Sequence, residues 1–427
     1  MRWLGHGRRL CMVVMLQLPT VPDRRLAIRI TPDALRQIRS GHRWIYDKAI
    51  VSNSDNSAPP GTLAVIFDAN RKFAAIGLWD PQSPIRIRVL HVGKPAQIDS
   101  EFWHRLVKDA MDARSSLSNT STTGWRLLHG ENDGTSGLVV DRYSDTLVCK
   151  VYSECWLPHL NEVLEALHNV VQPHRIVLRL GRIAATSSAV VEANLTDGMV
   201  VYGAEPSGPV EFLENGLRFA ADVLDGQKTG HFLDQRDNRQ HVRDYVASRR
   251  GEHLSMLDVF SCTGGFSVYA AAGGASRVHS VDIAAPAIET ARANMALNGD
   301  QVGKATHEVT VGDAFEVMAE FGAAGRTFDV VVVDPPSFAS KASERDGAIR
   351  AYRKLAELAA PLVAPRGHLL QASCSSRVTE DDLVATVRGA LRTHHRSISQ
   401  EQVFGHAIDH PVAFAQGRYL KAIALDL

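Results

Sequence analysis

Five residues with chemistry to offer stand at the ends of five apolar segments in the second half of the chain. They are Asp258 in "LDVFSCTGGF", Asp282 in "HSVDI", Asp313 in "TVGDAF", Asp334 in "VVVDPPSF" and Cys374 in "LLQASCSS". Asp282 lies 24 residues beyond Asp258, the distance at which an acid after a second strand accepts hydrogen bonds from ribose hydroxyls. Gly264 and Gly265 permit a sharp turn or a close approach of backbone to a ligand. A strand-end aspartate taken alone is commonly a helix N-cap, and a glycine pair alone a plain turn. One acid after each of four consecutive strands predicts more than that, a pocket for a nucleoside-containing cofactor. The GxGxxG cradle for a pyrophosphate is absent, and "SCTGGF" has two adjacent glycines in its place, which points away from a dinucleotide.

The "DPPSF" run adds a positioning device. Pro335 and Pro336 fix an extended turn after a buried strand, so Asp334 is expected to meet an amide-like edge and Phe338 to stack on a planar base. Cys374, one strand further on, is expected in the same crevice. A thiolate there suits one particular reaction. Carbon 5 of cytosine is too weakly nucleophilic to take a methyl group until a nucleophile has added at carbon 6. Loss of the carbon 5 proton to a base then expels the thiolate. Methylating a ring or exocyclic nitrogen needs no such group. Close in sequence, only Arg377 offers Cys374 a positive charge.

The elements that must carry these residues follow a simple alternation. From about residue 222, apolar strands ("MLDVFS", "RVHSVDI", "HEVTVGD", "FDVVVVDPP", "GHLLQAS", "YLKAIALDL") alternate with amphipathic helices ("PAIETARANMALNG", "RDGAIRAYRKLAELAAPLV", "EDDLVATVRGALRTH"). That pattern predicts a doubly wound, mostly parallel α/β sheet over 221–427, covered on both faces and open to ligands at the carboxyl ends of its strands. Residues 99–220 carry strands and a helix "WLPHLNEVLEALHNVV" in an order that predicts an α+β middle domain. Its turn "HGENDGTSG" has no assignable chemistry. Residues 26–98 show short segments such as "TLAVIFD" and "PIRIRVLHV", which predict a small β-barrel with one helix at "PDALRQIRSG".

Composition sets the class. The 427 residues, 45% apolar and 22% charged, belong to a globular chain of two or three domains. Five cysteines without a CxxC pair predict neither a disulfide framework nor a metal site and suit a reducing cytoplasm. Residues 1–25 are expected to be a loose tail or the result of an upstream start. "LCMVVMLQLP" within them is too short to span a bilayer. The net charge is zero, but residues 23–98 hold 12 Lys/Arg against 6 Asp/Glu, which favours a polyanionic partner at the front. Arg36, Arg39 and Arg43 would share a helix face beside Trp44 and Tyr46, a pairing of cations and aromatics suited to nucleic acid.

At these residues the chain resembles the bacterial large-subunit ribosomal RNA cytosine-5 methyltransferases. That family joins a PUA domain, a central α+β domain and a Rossmann-like methyltransferase domain. The resemblance runs from about residue 24 onward through "GHRWIYDKAI", "GENDGTSGLVVDRY", "GQKTGHFLDQRDNR", "VFSCTGGFSVYAA", "DPPSFA" and "SCSS". It implies S-adenosylmethionine as cofactor, RNA as substrate, Cys374 as covalent nucleophile and Asp334 on the cytosine's pairing edge. Asp282 and Asp313 would hold the ribose and adenine. Gln235 and Arg236 would form the cofactor's rim, and Asp258, Ser261, Thr263, Gly264, Gly265, Ile283 and Ala314, with Asp334, would complete the pocket. Pro335, Pro336, Phe338, Arg36 and Arg43 would face the RNA. A second copy of the chain is a candidate partner; a membrane and a metal are not. Members of the family often carry an aromatic at the position of Cys262 and a glycine at that of Ser376, so neither is assigned a role. Two other readings stay open: a base-nitrogen RNA methyltransferase of the same fold, and a non-catalytic RNA-binding assembly factor.

Overall fold

The computed structural model describes residues 16–249, 251–339 and 341–427, and they fall into two compact units. The first contains residues up to 119, 123–211 and 221–231; the second contains 120–122, 212–220 and 232–427.

The first unit opens with β1 (Leu26–Ile30), β2 (Trp44–Tyr46), β3 (Ile50–Asn53), β4 (Leu63–Phe67), β5 (Phe73–Trp79) and β6 (Ile85–Val92). They form one sheet in the order β2-β6-β5-β4-β1-β3, in which only β1 and β4 run parallel. A second sheet, β7 (Gly124–His129), β8 (Leu138–Tyr143), β9 (Thr146–Val151), β10 (Arg175–Leu180) and β11 (Met199–Tyr202), is ordered β11-β10-β9-β8-β7. Helices Ser100–Ala113 and Leu160–Val171 pack with it, and Trp103 donates to Glu162 between them at 2.9 Å.

The front and middle modules share a core in which Leu63, Ile76 and Leu78 join Trp103, Trp156 and Leu160. The turn "HGENDGTSG" is part of that joint. Glu131 accepts from the Trp44 indole at 2.8 Å, from Ser136 and from the Gly137 amide. Its role is therefore structural. The segment expected as a tail lies partly in this unit too: Leu16 is buried, and its backbone exchanges two hydrogen bonds with Asn161. Residues 1–15 lie outside the described residues.

The arginine face expected at the front is not formed. Thr31 caps the helix, which runs only from Pro32 to Arg39, so Arg43 sits beyond its end after the Ser40–Gly41 turn. Arg36 is exposed and paired with Asp33, while Arg43 is half-buried with two guanidinium nitrogens lacking a hydrogen-bond partner.

Two strands at the boundary, β12 (Val210–Glu214) and β13 (Leu217–Ala221), form a hairpin outside both sheets of the first unit. Phe212–Ala220 belongs to the second unit, so the boundary read at 220 in the sequence falls inside the hairpin.

The second unit is a seven-stranded sheet. Its strands are β14 (Ser255–Val259), β15 (Arg277–Asp282), β16 (Thr306–Val311), β17 (Phe328–Val333), β18 (Val363–Ser373), β19 (Gln400–Phe404) and β20 (Lys421–Asp426), in the order β16-β15-β14-β17-β18-β20-β19. The first five run parallel, each reached through a helix, and β20 alone returns antiparallel, inserted between β18 and β19. Strands such as "FDVVVV" are buried almost throughout, as a sheet covered on both faces requires. The strand order reverses between β14 and β17, the point where loops part and leave a crevice. Among the described residues no helix is long and apolar enough to cross a membrane.

Candidate functional site

The loop after β14 has unusual backbone. Phe260, Cys262 and Gly264 all have positive φ (63°, 47° and 74°), two of them despite carrying side chains, and the loop leads directly into helix Gly265–Gly273. Its shape is held from outside. The Cys262 amide donates to Asp282 Oδ2 and the Ala284 amide to Oδ1, both at 2.9 Å, so Asp282 ties the first loop to the second. A Cβ on Gly264 would meet that of Ala291 at 2.7 Å, and one on Gly265 would meet Arg239 at 2.9 Å, so both glycines are required by close packing behind the loop. Thr263, half-buried, offers its carbonyl to Asn294.

Asp282 is half-buried, and Ile283 beside it is 72% exposed, a carboxylate next to a bare apolar side chain. Asp313 caps helix Ala314–Ala323 by accepting from the Phe315 and Glu316 amides through Oδ1; Ala314 is buried beneath it. Ser261 Oγ is buried and has no hydrogen-bond partner. An orphaned hydroxyl, two part-exposed acids and an exposed aliphatic side chain make a donor set suited to a nucleoside bearing an amino-acid tail.

Two of the expected contacts lie elsewhere. Asp258 is fully buried and accepts from the Ser267 amide and hydroxyl, so it fixes the loop from below and does not reach the crevice. Burial pushes its carboxyl up to about 7 against those two hydrogen bonds. A carboxyl raised in the folded state favours folding fully below the ordinary value of 3.8 and loses that contribution as pH rises to about 7. Asp258→Asn should accordingly flatten the fall in stability over that window in denaturant titrations. Equal slopes for the two proteins would contradict the assignment. Arg236, expected at the cofactor's rim, is also buried, and its guanidinium is held by both oxygens of Asp409 at 3.1 and 2.6 Å. Gln235 does reach the site, donating to Asp334 Oδ1 at 2.8 Å.

Asp334 follows β17, where its amide donates to the Val259 carbonyl and so joins the "DPPSF" loop to the first loop. Pro335 is buried and Pro336 exposed. The Cys374 thiol, half-buried at the end of β18, lies 3.8 Å from the Pro335 carbonyl. The cysteine and the aspartate loop are thus neighbours. The Phe338 ring is half-buried and lies 5.1 Å from Tyr352 in an edge arrangement, so part of it is committed to packing.

Two residues absent from the sequence reading organise this corner. Ser375 is fully buried, and its Oγ accepts from the Phe338 and Ala339 amides and bonds Ser337 and the Tyr352 hydroxyl, clamping the two loops together. Lys421, at the start of β20, pairs in register with Ser373 and donates to the Ser375 carbonyl at 2.6 Å. A lysine opening the apolar run "KAIALDL" was the signal available for it. No group of three or more His, Cys, Asp or Glu side chains among the described residues could hold a metal ion.

Comparison with known proteins bears on this site. Residues 194–404 match the model of an S-adenosylmethionine-dependent methyltransferase family, and residues 28–91 match that of a PUA-like domain. A ribosomal RNA large subunit methyltransferase of Deinococcus radiodurans is 42% identical over 417 residues, covering 96% of this chain and all of that one. Ribosomal RNA large subunit methyltransferase I of Photobacterium profundum is 35% identical over 392 residues, covering 91% and 96%. Two solved chains assigned as methyltransferases, one complexed with SAH and one from Streptococcus mutans, superpose with TM-scores of 0.76 and 0.74 at 19% identity, over 94% of this chain and all of theirs. The fold of the second unit, its use of S-adenosylmethionine and the PUA-like character of the front module follow from these matches together with the geometry above.

Proposed function

We propose that this chain, which belongs to the ribosomal RNA large subunit methyltransferase family, methylates carbon 5 of a cytosine in large-subunit ribosomal RNA, with Cys374 as the attacking group. The observation that carries the reading is the thiol of Cys374 against the Pro335 carbonyl of the "DPPSF" loop. Methylation of a base nitrogen has no use for a thiol at that point.

S-adenosylmethionine, when bound, would supply a methyl group on a sulfonium centre, whose leaving group is a neutral thioether. The chain does the rest. Cys374 sulfur adds to carbon 6 of the cytosine, and the electron pair displaced from the 5,6 double bond makes carbon 5 able to take the methyl. A base in the crevice then removes the carbon 5 proton, the double bond re-forms, and the carbon–sulfur bond breaks to return the thiolate. Asp334, oriented by Gln235, would hold the pairing edge of the base. Asp282 and Asp313 would hold the nucleoside of the cofactor, with Ser261 toward its amino-acid tail. Pro336 and Phe338 would contact the target base from the loop, and Arg36 and Arg43 would contact RNA from the front module. The substrate reading draws on the relatives' substrate and on the basic front module.

Asp282→Ala should weaken S-adenosylmethionine binding by about 1–3 kcal/mol, the cost of charged hydrogen bonds left unmade. Unchanged affinity by calorimetry would remove Asp282 from the pocket. The reaction itself is tested by nucleoside analysis of large-subunit RNA methylated by the protein. The label should appear in 5-methylcytidine, and a methyl group on a base nitrogen would overturn the reading.

A further inference from the structure

Lys421 is 1% exposed, and its ammonium donates to two backbone carbonyls, Ser375 at 2.6 Å and Tyr419 at 2.9 Å. Among the described residues no carboxylate forms an ion pair with it. A buried ammonium without a counter-ion is costly, because carbonyl dipoles replace only part of its hydration. Its place in the fold shows which anion is available. β20 runs antiparallel to β18, so Lys421 is the register partner of Ser373, while its ammonium reaches the carbonyl of Ser375. The lysine's backbone is therefore paired with the residue before Cys374, and its ammonium is bonded to the residue after it.

We propose that Lys421 is the counter-cation of the Cys374 thiolate, a positioning residue that holds the sulfur ionised before RNA binds and stabilises it again when it leaves carbon 6. This rests on the reading of Cys374 as the nucleophile.

The surrounding groups leave that role to Lys421. Asp382 and Glu380, on the first turn of helix Glu380–Thr393, act on it only at a distance, and Asp382 is committed to Arg345 at 2.6 Å. His406, which faces β20 and accepts from the Leu420 amide, is neutral near pH 7, since burial and then His410 lower it to about 4. Tyr352, beside Cys374, is held as a neutral phenol by burial, at about 12. Tyr419 donates its hydroxyl to Asp234. Asp334 carries a carboxylate on this side, oriented by Gln235, and Arg377, the cation nearest to Cys374 in sequence, is exposed to solvent, unlike the buried Lys421. Burial lowers Lys421 to about 8, and the Cys374 sulfur is the leading influence that opposes it. Ammonium and thiolate would each favour the ionised form of the other.

The test is the pH profile of iodoacetamide alkylation at Cys374, read by peptide mass spectrometry on the full chain without RNA. Cys149 and Cys155 are buried with thiols pushed up to about 12, and mapping separates Cys262. In the wild type the midpoint should lie below the value of about 8.5 of an ordinary thiol. In Lys421→Met, close to lysine in volume, it should rise by about one pH unit, an alkylation rate at pH 7 roughly tenfold lower, and Lys421→Arg should restore it in part. A wild-type midpoint at or above about 8.5 would overturn the proposal, and needs no variant to fold. A Lys421→Met profile that overlays the wild type would overturn it as well. Failure here is distinct from failure of the nucleophile itself: trapping on 5-fluorocytosine RNA with an ordinary alkylation profile removes only Lys421, whereas no trapping removes Cys374 whatever its profile.

Discussion

Cys374→Ser is expected to abolish methyl transfer, lowering turnover by on the order of a thousandfold or more, about 4 kcal/mol of barrier at 1.36 kcal/mol per decade. The two side chains are nearly the same size, so the loop beneath them has no reason to move. What changes is the fraction of anion: a thiol near neutral pH supplies some thiolate, and a hydroxyl supplies essentially no alkoxide. S-adenosylmethionine affinity should be unchanged, because Cys374 lies against Pro335 while the acids ascribed to the cofactor, Asp282 and Asp313, follow other strands. Turnover and calorimetry on the same preparation check both halves. Near-wild-type turnover would remove the thiol from the reaction.

Glu214→Ala is expected to destabilise the second unit by about 3–5 kcal/mol, the range for breaking a buried ion pair by removing one partner. Arg239 is 3% exposed and donates to both oxygens of Glu214, at 2.8 and 2.7 Å, and to the Phe232 carbonyl. Its stem lies under Gly265, and its guanidinium sits 5.9 Å from the Tyr269 ring centre. Tyr269 in turn donates to the Glu214 carbonyl and stacks on Phe219 of β13. Without Glu214 a buried guanidinium loses its counter-charge directly beneath the loop that opens the cofactor pocket. Denaturant unfolding measures the loss. A change below about 1 kcal/mol would show that the pair carries little.

The fold and the crevice were legible in the sequence because both follow from topology. Continuous apolar strands separated by helices can be covered only as a doubly wound sheet, and such a sheet brings the residues after its strands to one edge. Asp282, Asp313, Asp334 and Cys374 could therefore be placed together without a single contact being known. What was missed depends on side-chain direction or on distant pairing. Asp258 follows the same rule of position, yet its carboxyl turns down to Ser267. Arg236 finds Asp409 173 residues away, and Lys421 finds Ser375 46 residues away across an antiparallel return. No local pattern announces either. β19, "QEQVF", is largely exposed and lacks the apolar run that marked its neighbours. The hairpin β12–β13 reads as two more strands of the middle domain because its partners, Asn294 and Asn298, lie some 80 residues on.

The central claim, a covalent bond between Cys374 and carbon 6 of a cytosine, is tested most directly by trapping. With 5-fluorocytosine at the target position, carbon 5 carries fluorine where the proton would leave, so the thioether cannot be expelled. Incubated with S-adenosylmethionine, the wild-type protein should give a retarded protein–RNA band on a denaturing gel, with the crosslink at Cys374, and Cys374→Ser should give none. Methylation of unmodified RNA with no trapped band on the fluorinated RNA would contradict the account.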